Sequence, residues 1–543
     1  MIDRISVNSL NTPQKQYLRQ EPSFKGSITD FVLSGIQLCE AEPMVNVAVA
    51  DLSTAIIPRT IIEGQTNPYA GFEAFRRESS GLIINCMIPG IIVLGVAKAL
   101  QNSIMGGDSK MSSCWANEDT IKMITKYWEK TETECVGRTQ REKVEHTIKS
   151  ILEDTSGIDG TETKSLKDMM KFEDTAKRLA DEVLKPEVSK EGSWFARRKA
   201  QKAANKAYNK AVKDSFKSII EQTHIAENIK IKGASNGYFS QGLGDVLGNT
   251  PKILRELVSG KFPDSATFAN KAKKLVTAKS LGGLAIILPL AISAQPINRW
   301  LTQRASGKKG APIYKDFEHA QCKELDSQEK SALFRQKIIS IGSMIGVALL
   351  STMKMPSLGM LKNISQFKGI FPSMDQARLI STATFSSRMA ASQDKHDLRE
   401  ATSRDIATFC TFYFLGDYVA KGVASALQKT KGCKDRGIKL VNVLDKTPTD
   451  AGALKKFWYW AKHTALKSSS EVHGVTADAA KYAKNMRSVC QLANLAFQLI
   501  TLGIIIPKAY RKKTEKEHEK ELKQMEINKQ TARHCETSSS GCA

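Results

Sequence analysis

The sequence predicts an all-α fold, a helical membrane protein with about three to four apolar membrane helices and large helical extramembrane segments. Three observations lead there. Three runs of 19 to 20 residues carry no charge at all. Helical periodicity dominates the remainder, and strand-like alternation is rare. The composition, 41% hydrophobic and 25% charged, is that of an ordinary globular chain. A compact many-span carrier would be far more apolar, so most of the mass must lie outside any bilayer.

Taken in order, residues 1–26 read as a disordered N-terminal tail. The stretch is polar, holds Pro13 and Pro22, and lacks the apolar core of a secretory signal. No cleaved signal peptide is therefore expected, and an internal segment must direct insertion. Residues 27–107 form an N-terminal helical region. Its run from Pro43 to Ile62 holds Asp51 and Arg59 and suits a packed or amphipathic helix. The first membrane segment, 79–97, follows between Arg76, Arg77, Glu78 and Lys98.

Residues 108–279 read as a soluble basic helical insertion. Within it Lys199, Lys202, Lys206, Lys210, Lys213 and Lys217 recur every three or four positions, on one helix face. Ala200, Ala204, Tyr208, Val212 and Phe216 line another. The expectation here is a solvated face on a helical bundle, because alanine buries little area, with a membrane-surface or nucleic-acid role as the alternative.

Residues 280–356 read as a pair of membrane helices, 280–298 and 338–353. The first has 19 uncharged residues and the second 16. At about 1.5 Å per residue the first nearly spans a core of roughly 30 Å, and the second is short. Gly342 and Gly346 form a GxxxG pattern, expected to let helices approach closely, and Gly282 and Gly283 do so in 280–298. Pro89 and Pro289 predict kinks near the middles of their segments.

Residues 357–510 read as a helical region ending in the last membrane segment, 488–507. The run 406–416 is too short to span and is expected to be re-entrant, interfacial or a core helix. Phe457, Trp458, Tyr459 and Trp460 lie between lysines, and Trp300 follows Arg299. Both patterns suit the headgroup level of a bilayer. Residues 511–543 read as a charged, partly disordered tail, polar all round.

The net charge is +24, which marks attraction to something anionic. It is spread: residues 100–279 carry 32 basic and 25 acidic groups, residues 421–487 carry 14 and 5. A nucleic-acid surface would concentrate it, so nucleic acid is the disfavoured partner. The expected partners are the lipid bilayer, through anionic headgroups, and proteins docking on the helical loops. The segment 299–337, with 9 basic and 5 acidic residues, sits awkwardly with simple alternation of basic loops across a membrane.

No catalytic, cofactor-binding or metal-ligating residue can be named. The ten cysteines form no CxxC pair and predict free thiols in a reducing compartment. Gly242, Gly244 and Gly248 miss the dinucleotide spacing by one residue, and Gly307-Lys308-Lys309-Gly310 lacks the Lys-Ser/Thr of a P-loop. Pro296-Ile297-Asn298-Arg299 resembles the mitochondrial-carrier signature only in part, since Asn298 stands where that signature needs an acid. The chain thus reads as no enzyme but a membrane-anchored scaffold or interaction protein. A transporter or channel-like protein is the alternative, as is a soluble or peripheral basic helical scaffold whose apolar runs are core helices. Asp51, Arg59, Asp405 and Asp417 are the only ionisable groups expected at apolar depth.

Overall fold

The computed structural model describes Ile36 and residues 43–539, except 107–108, 160–161, 187–192, 232–241, 316, 318–325, 353–361, 363, 444–449, 451, 470 and 473–475. The expected N-terminal tail, 1–26, lies outside the described residues. Helix accounts for 79% of the structure. Among the described residues the fold is an antiparallel bundle of seven helical passes with a helical unit inserted between the second and third.

Pass one is α1 (Pro43–Ala50), a π-helical turn (Asp51–Ile56) and α2 (Ile57–Gly64). Pass two is α3 (Pro68–Leu82), a second π turn (Ile83–Met87) and α4 (Pro89–Met105). Asn67 caps α3 through its side chain, and Pro68 and Pro89 stand at first helical turns, where a missing N–H costs nothing. The two halves of pass two bend by 44° at the Pro89 break. The expected kink is present there. Pro289, by contrast, lies inside a continuous helix.

The inserted unit follows, with α5 (Glu118–Glu134), α6 (Gln140–Glu153), α7 (Glu173–Leu184), α8 (Trp194–Thr223) and α9 (Leu243–Val258). Its core holds Ile121, Ile124, Ile148, Ile151, Phe172, Leu179, Ile219 and Leu254, all buried. It also contains a three-stranded antiparallel sheet, ordered β2-β1-β3, from β1 (Thr155–Asp159), β2 (Glu162–Ser165) and β3 (Ile229–Ile231). The sequence hides these strands: Thr-Ser-Gly-Ile-Asp and Glu-Thr-Lys-Ser have little strand propensity, and β3 is three residues long.

The third pass is α10 (Ser265–Ser306), 42 residues and about 63 Å long. Its first turns belong to the insertion, burying Phe268, Ala272, Leu275 and Val276 in that core. Its later turns bury Leu284, Ile287 and Ala291 against Ile84 and Val93 in the bundle. The domain boundary expected at 279 therefore falls inside one helix. Pass four is α11 (Ser327–Ser351) and pass five α12 (Met374–Ala391). Pass six is α13 (Lys395–Cys410), a π turn (Thr411–Leu415) and α14 (Gly416–Leu427). A second small element follows, with α15 (Ala453–His463) between β4 (Val441–Val443) and β5 (Thr464–Leu466). Pass seven is α16 (Ala477–Gln498), a π turn (Leu499–Ile505) and α17 (Ile506–Ser539).

Alternation of direction follows from cross-contacts. Arg76 of pass two bonds Asn298 and Thr302 near the end of pass three, while a Cβ on Gly282 at its other end would meet Val96 at 2.9 Å. Thr384 bonds Asn85 while Arg388 reaches Glu78. Pass seven runs parallel to pass one, pairing Gln491 with Asn46 and Arg511 with Glu63. The insertion and the segment 428–476 thus meet at one end, where Ser468 donates to Glu227 at 2.7 Å and the Glu227 N–H to Glu471 at 2.7 Å.

Three helices are long and apolar enough to cross a membrane, the ones spanning Ser265–Ser306, Ser327–Ser351 and Asp478–Asn528, or four with the bent pair of pass two. One expectation needs correction. A Cβ on Gly342 or Gly346 would meet nothing within 4 Å, so the GxxxG pattern packs no helix among the described residues. The C-terminal segment is helical to Ser539, one of the two forms expected for it, and its disorder was expected at 538–541, of which 540 and 541 lie outside the described residues. Its side chains pair with α13, as Lys395 with Glu521 at 2.6 Å, and the His518 ring stacks on Tyr314. Residues 540–543 lie outside the described residues.

A buried ionic lattice as the candidate functional site

Sequence reasoning assigned no site residue, yet the bundle gathers twelve charged side chains at the end opposite the insertion. Six are arginines: Arg59, Arg77, Arg299, Arg388, Arg404 and Arg511. Six are acids: Glu63, Glu73, Glu78, Asp397, Glu400 and Asp405. All twelve are buried, and their formal charges cancel.

Helix geometry places them. On α3, Glu73 and Arg77 are four apart, and on α13, Asp397, Glu400 and Arg404 recur at helical spacing, so each set shares one face. Both charged faces turn inward; on α3 the opposite face is apolar, with Phe72 and Phe75 exposed. Asp394 caps α13 through the N–H groups of His396 and Asp397, which fixes where those charges begin.

Glu78 is the hub. It accepts from Arg59 at 3.2 Å and Arg77 at 3.0 Å, and lies 3.6 Å from Arg388. Arg77 also holds Glu63 at 2.7 Å, and Glu63 meets Arg404 at 3.6 Å and Arg511 at 3.7 Å. Asp405 meets Arg388 at 3.3 Å and Arg404 at 3.5 Å. Arg299 bridges Glu73 and Asp397, each at 3.2 Å. Neutral partners complete the shell: Arg59 donates to Thr408 at 2.7 Å, Arg511 to the Ile313 carbonyl at 2.6 Å, and Thr514 to Glu400 at 3.0 Å.

An enclosed cavity of about 20 Å³ sits among Glu63, Glu73, Arg77, Arg299, Arg388, Asp397 and Arg404. That is room for about one water. Several lattice atoms have no protein hydrogen-bond partner, among them Glu73 Oε2, Arg299 Nε, Arg388 Nε and Asp405 Oδ2. Such atoms around such a space suit a bridging water.

Of the four ionisable groups expected at apolar depth, Arg59 and Asp405 belong to the lattice. Asp417 does not; it pairs with Lys421 at 2.6 Å at the other end. Asp51 lies in the π turn of pass one, outside the ion pairs described here. Arg77, Glu78 and Arg299 had counted as flanks of apolar runs, and Arg511 as the start of the charged tail. Their convergence was invisible in the sequence, because it depends on six helices meeting, though the shared-face spacing on α13 was a readable signal.

The glycine-rich start of α9 is no phosphate cradle. The Asp245 carboxylate accepts the Gly242 N–H at 3.2 Å and puts negative charge where a phosphate would sit. Among the described residues, no group of His, Cys, Asp and Glu could hold a metal ion. Six cysteines are described and are free thiols, with all but Cys410 buried.

No family model matches the chain, and no match is found among curated proteins or solved structures. The lattice is interpreted on its own geometry.

Proposed function

We propose that the protein is an integral membrane scaffold, without catalytic activity, whose bundle sits in the bilayer and carries the inserted helical unit on a rigid strut. The observation that supports it most is α11. Of its 25 residues only Met344 and Ser351 are buried, while Phe334, Ile338, Ile339, Ile345, Leu349 and Leu350 face outward. In water such a face costs roughly 25 cal/mol for each Å² of apolar area left exposed. Lipid removes that cost.

The same asymmetry holds across the chain. Exposed large apolar residues crowd the seven passes, whereas among the described residues α5 to α9 and their links contribute only Val136, Trp194 and Phe195. Exposed aromatics mark both ends of the bundle: Phe72, Phe75 and Trp300 at the lattice end, Phe457 and Trp458 at the insertion end. That is the placement of interfacial belts. The strut reading rests on α10, which joins both cores without a break.

After alkaline carbonate treatment the protein is expected in the membrane pellet; full release to the supernatant overturns the proposal. Transport is the second reading, favoured by the ionisable groups the lattice brings between helices. Against it stand the cancelled charges and a cavity far below the 300 Å³ or so of a small-molecule pocket. Proteoliposomes of the purified chain are expected to hold a proton gradient as well as empty vesicles. A leak abolished by Glu78→Gln would favour transport instead.

A further inference from the structure

The first half of helix α8 stands free of the body of the protein. From Trp194 to Lys210 every residue is exposed except the partly buried Tyr208, so about 25 Å of helix stands clear of the body. Contact begins where Tyr208 donates to the Gly248 carbonyl at 2.5 Å and continues through Ala211, Ser215, Ile219 and Ile220. The expected solvated face on a packed bundle is thus a projecting arm, with neither of its faces packed over the first four turns.

Its charge is one-sided. Residues 194–213 hold seven arginines and lysines and no acid. At 100° per residue, Lys199, Lys202, Lys206, Lys210 and Lys213 fall within one narrow stripe, and Phe195 leads it. Like charges three and four apart repel and weaken a helix that has no packing to hold it. An anionic surface along the stripe would reverse that penalty.

The tip narrows the choice. Trp194 and Phe195 are 55% and 77% exposed and stack edge to face at 4.8 Å, with the Arg198 guanidinium 5.0 Å over the Trp194 ring. Aromatic rings beside cations suit the headgroup layer. Binding to single-stranded nucleic acid uses exposed aromatics distributed among the cations as stacking platforms, and here the exposed ones occur only at the tip, Tyr208 being partly buried and bonded to Gly248. A protein groove needs an apolar face, and the face opposite the lysines is mainly alanine.

We propose that the α8 arm docks on the surface of an anionic phospholipid bilayer, its lysine stripe on the headgroups and Trp194 and Phe195 set among them. The proposal does not rest on the bundle being embedded. The test uses the full chain held in amphipol and floated with vesicles of phosphatidylcholine alone or with about 30% phosphatidylserine. Flotation is expected only with phosphatidylserine and is expected to fall with added salt. A variant carrying Lys199→Gln, Lys202→Gln, Lys206→Gln and Lys210→Gln should lose about 100-fold or more in vesicle partitioning. Trp194→Ala with Phe195→Ala should weaken it less. All six side chains are exposed, so unchanged thermal unfolding of the variants serves as the folding control. Equal flotation of the four-lysine variant overturns the proposal. So does lysine-dependent binding to RNA or DNA at the same salt without vesicle binding.

Discussion

Glu78 faces three guanidinium groups, and neutralising it leaves Arg59, Arg77 and Arg388 to share weaker acceptors in a buried place. Removing one partner of a buried pair typically costs about 3–5 kcal/mol. Glu78→Gln is therefore expected to lower the unfolding midpoint of the detergent-solubilised chain sharply, whereas Asp417→Asn, whose own carboxylate is half exposed in its pair with Lys421, should move it much less. At the other end Glu471 carries the opposite electrostatics. Burial, with the neighbouring Glu227 carboxylate adding to it and Lys467 opposing, pushes its carboxyl up to about 7. An acid whose folded pKa exceeds its unfolded value stabilises fully below the unfolded pKa, near 4.5. That contribution is lost as pH rises through about 7. Glu471→Gln keeps a side chain able to accept from the Glu227 N–H and should gain stability over the wild type progressively from pH 4.5 to 7, read by thermal unfolding across that range. A constant offset between the two curves would contradict the assignment. Neither residue stood out in the sequence, since each also depends on distant partners, Glu78 on Arg59 and Arg388 and Glu471 on Glu227.

Close approach between helices is where the sequence signal was sound in kind and misplaced in part. Gly282 and Gly283 of α10 face Val96 and Val93 of α4, and a Cβ on Gly283 would overlap the Val93 side chain. Gly342 and Gly346 show the better-known spacing yet face open space. Spacing tells which residues share a helix face, not whether another helix lies against it. The contrast is testable: Gly283→Val should force α4 from α10 and destabilise the bundle by roughly 1–3 kcal/mol, while Gly346→Val should leave unfolding unchanged. Equal effects would mean that α11 packs on a surface outside this chain. The long apolar runs, the helix-rich insertion and the Pro89 break were all legible, because hydrophobic periodicity and proline chemistry are local. The strands β1 to β3 were not, because tertiary contacts fix them against their propensity.

At the scale of the whole molecule the awkward segment was 299–337, whose excess of basic residues argued against alternation. The structure redistributes that charge. Arg299 and Arg304 lie in α10 and Lys330, Arg335 and Lys337 in α11. The link between them, 307–326, holds four basic and four acidic residues, so it carries no net charge. Arg299 is moreover matched within the lattice by Glu73 and Asp397. The rule counts lysines and arginines near the span ends and not net charge, so the nine of 299–337 still bear on the direction of a spanning α10, and α10 alone separates the insertion from the link. If it spans, a protease site inserted after Gly137, in the exposed turn between α5 and α6, and one inserted after Lys308 must lie on opposite faces of the membrane. In sealed vesicles only one of the two should be cut, and the other only after the membrane is permeabilised. Cleavage of both in sealed vesicles would mean that α10 enters and returns as part of a hairpin. The seven-pass alternation would then describe packing within the bundle, and not passage through a bilayer.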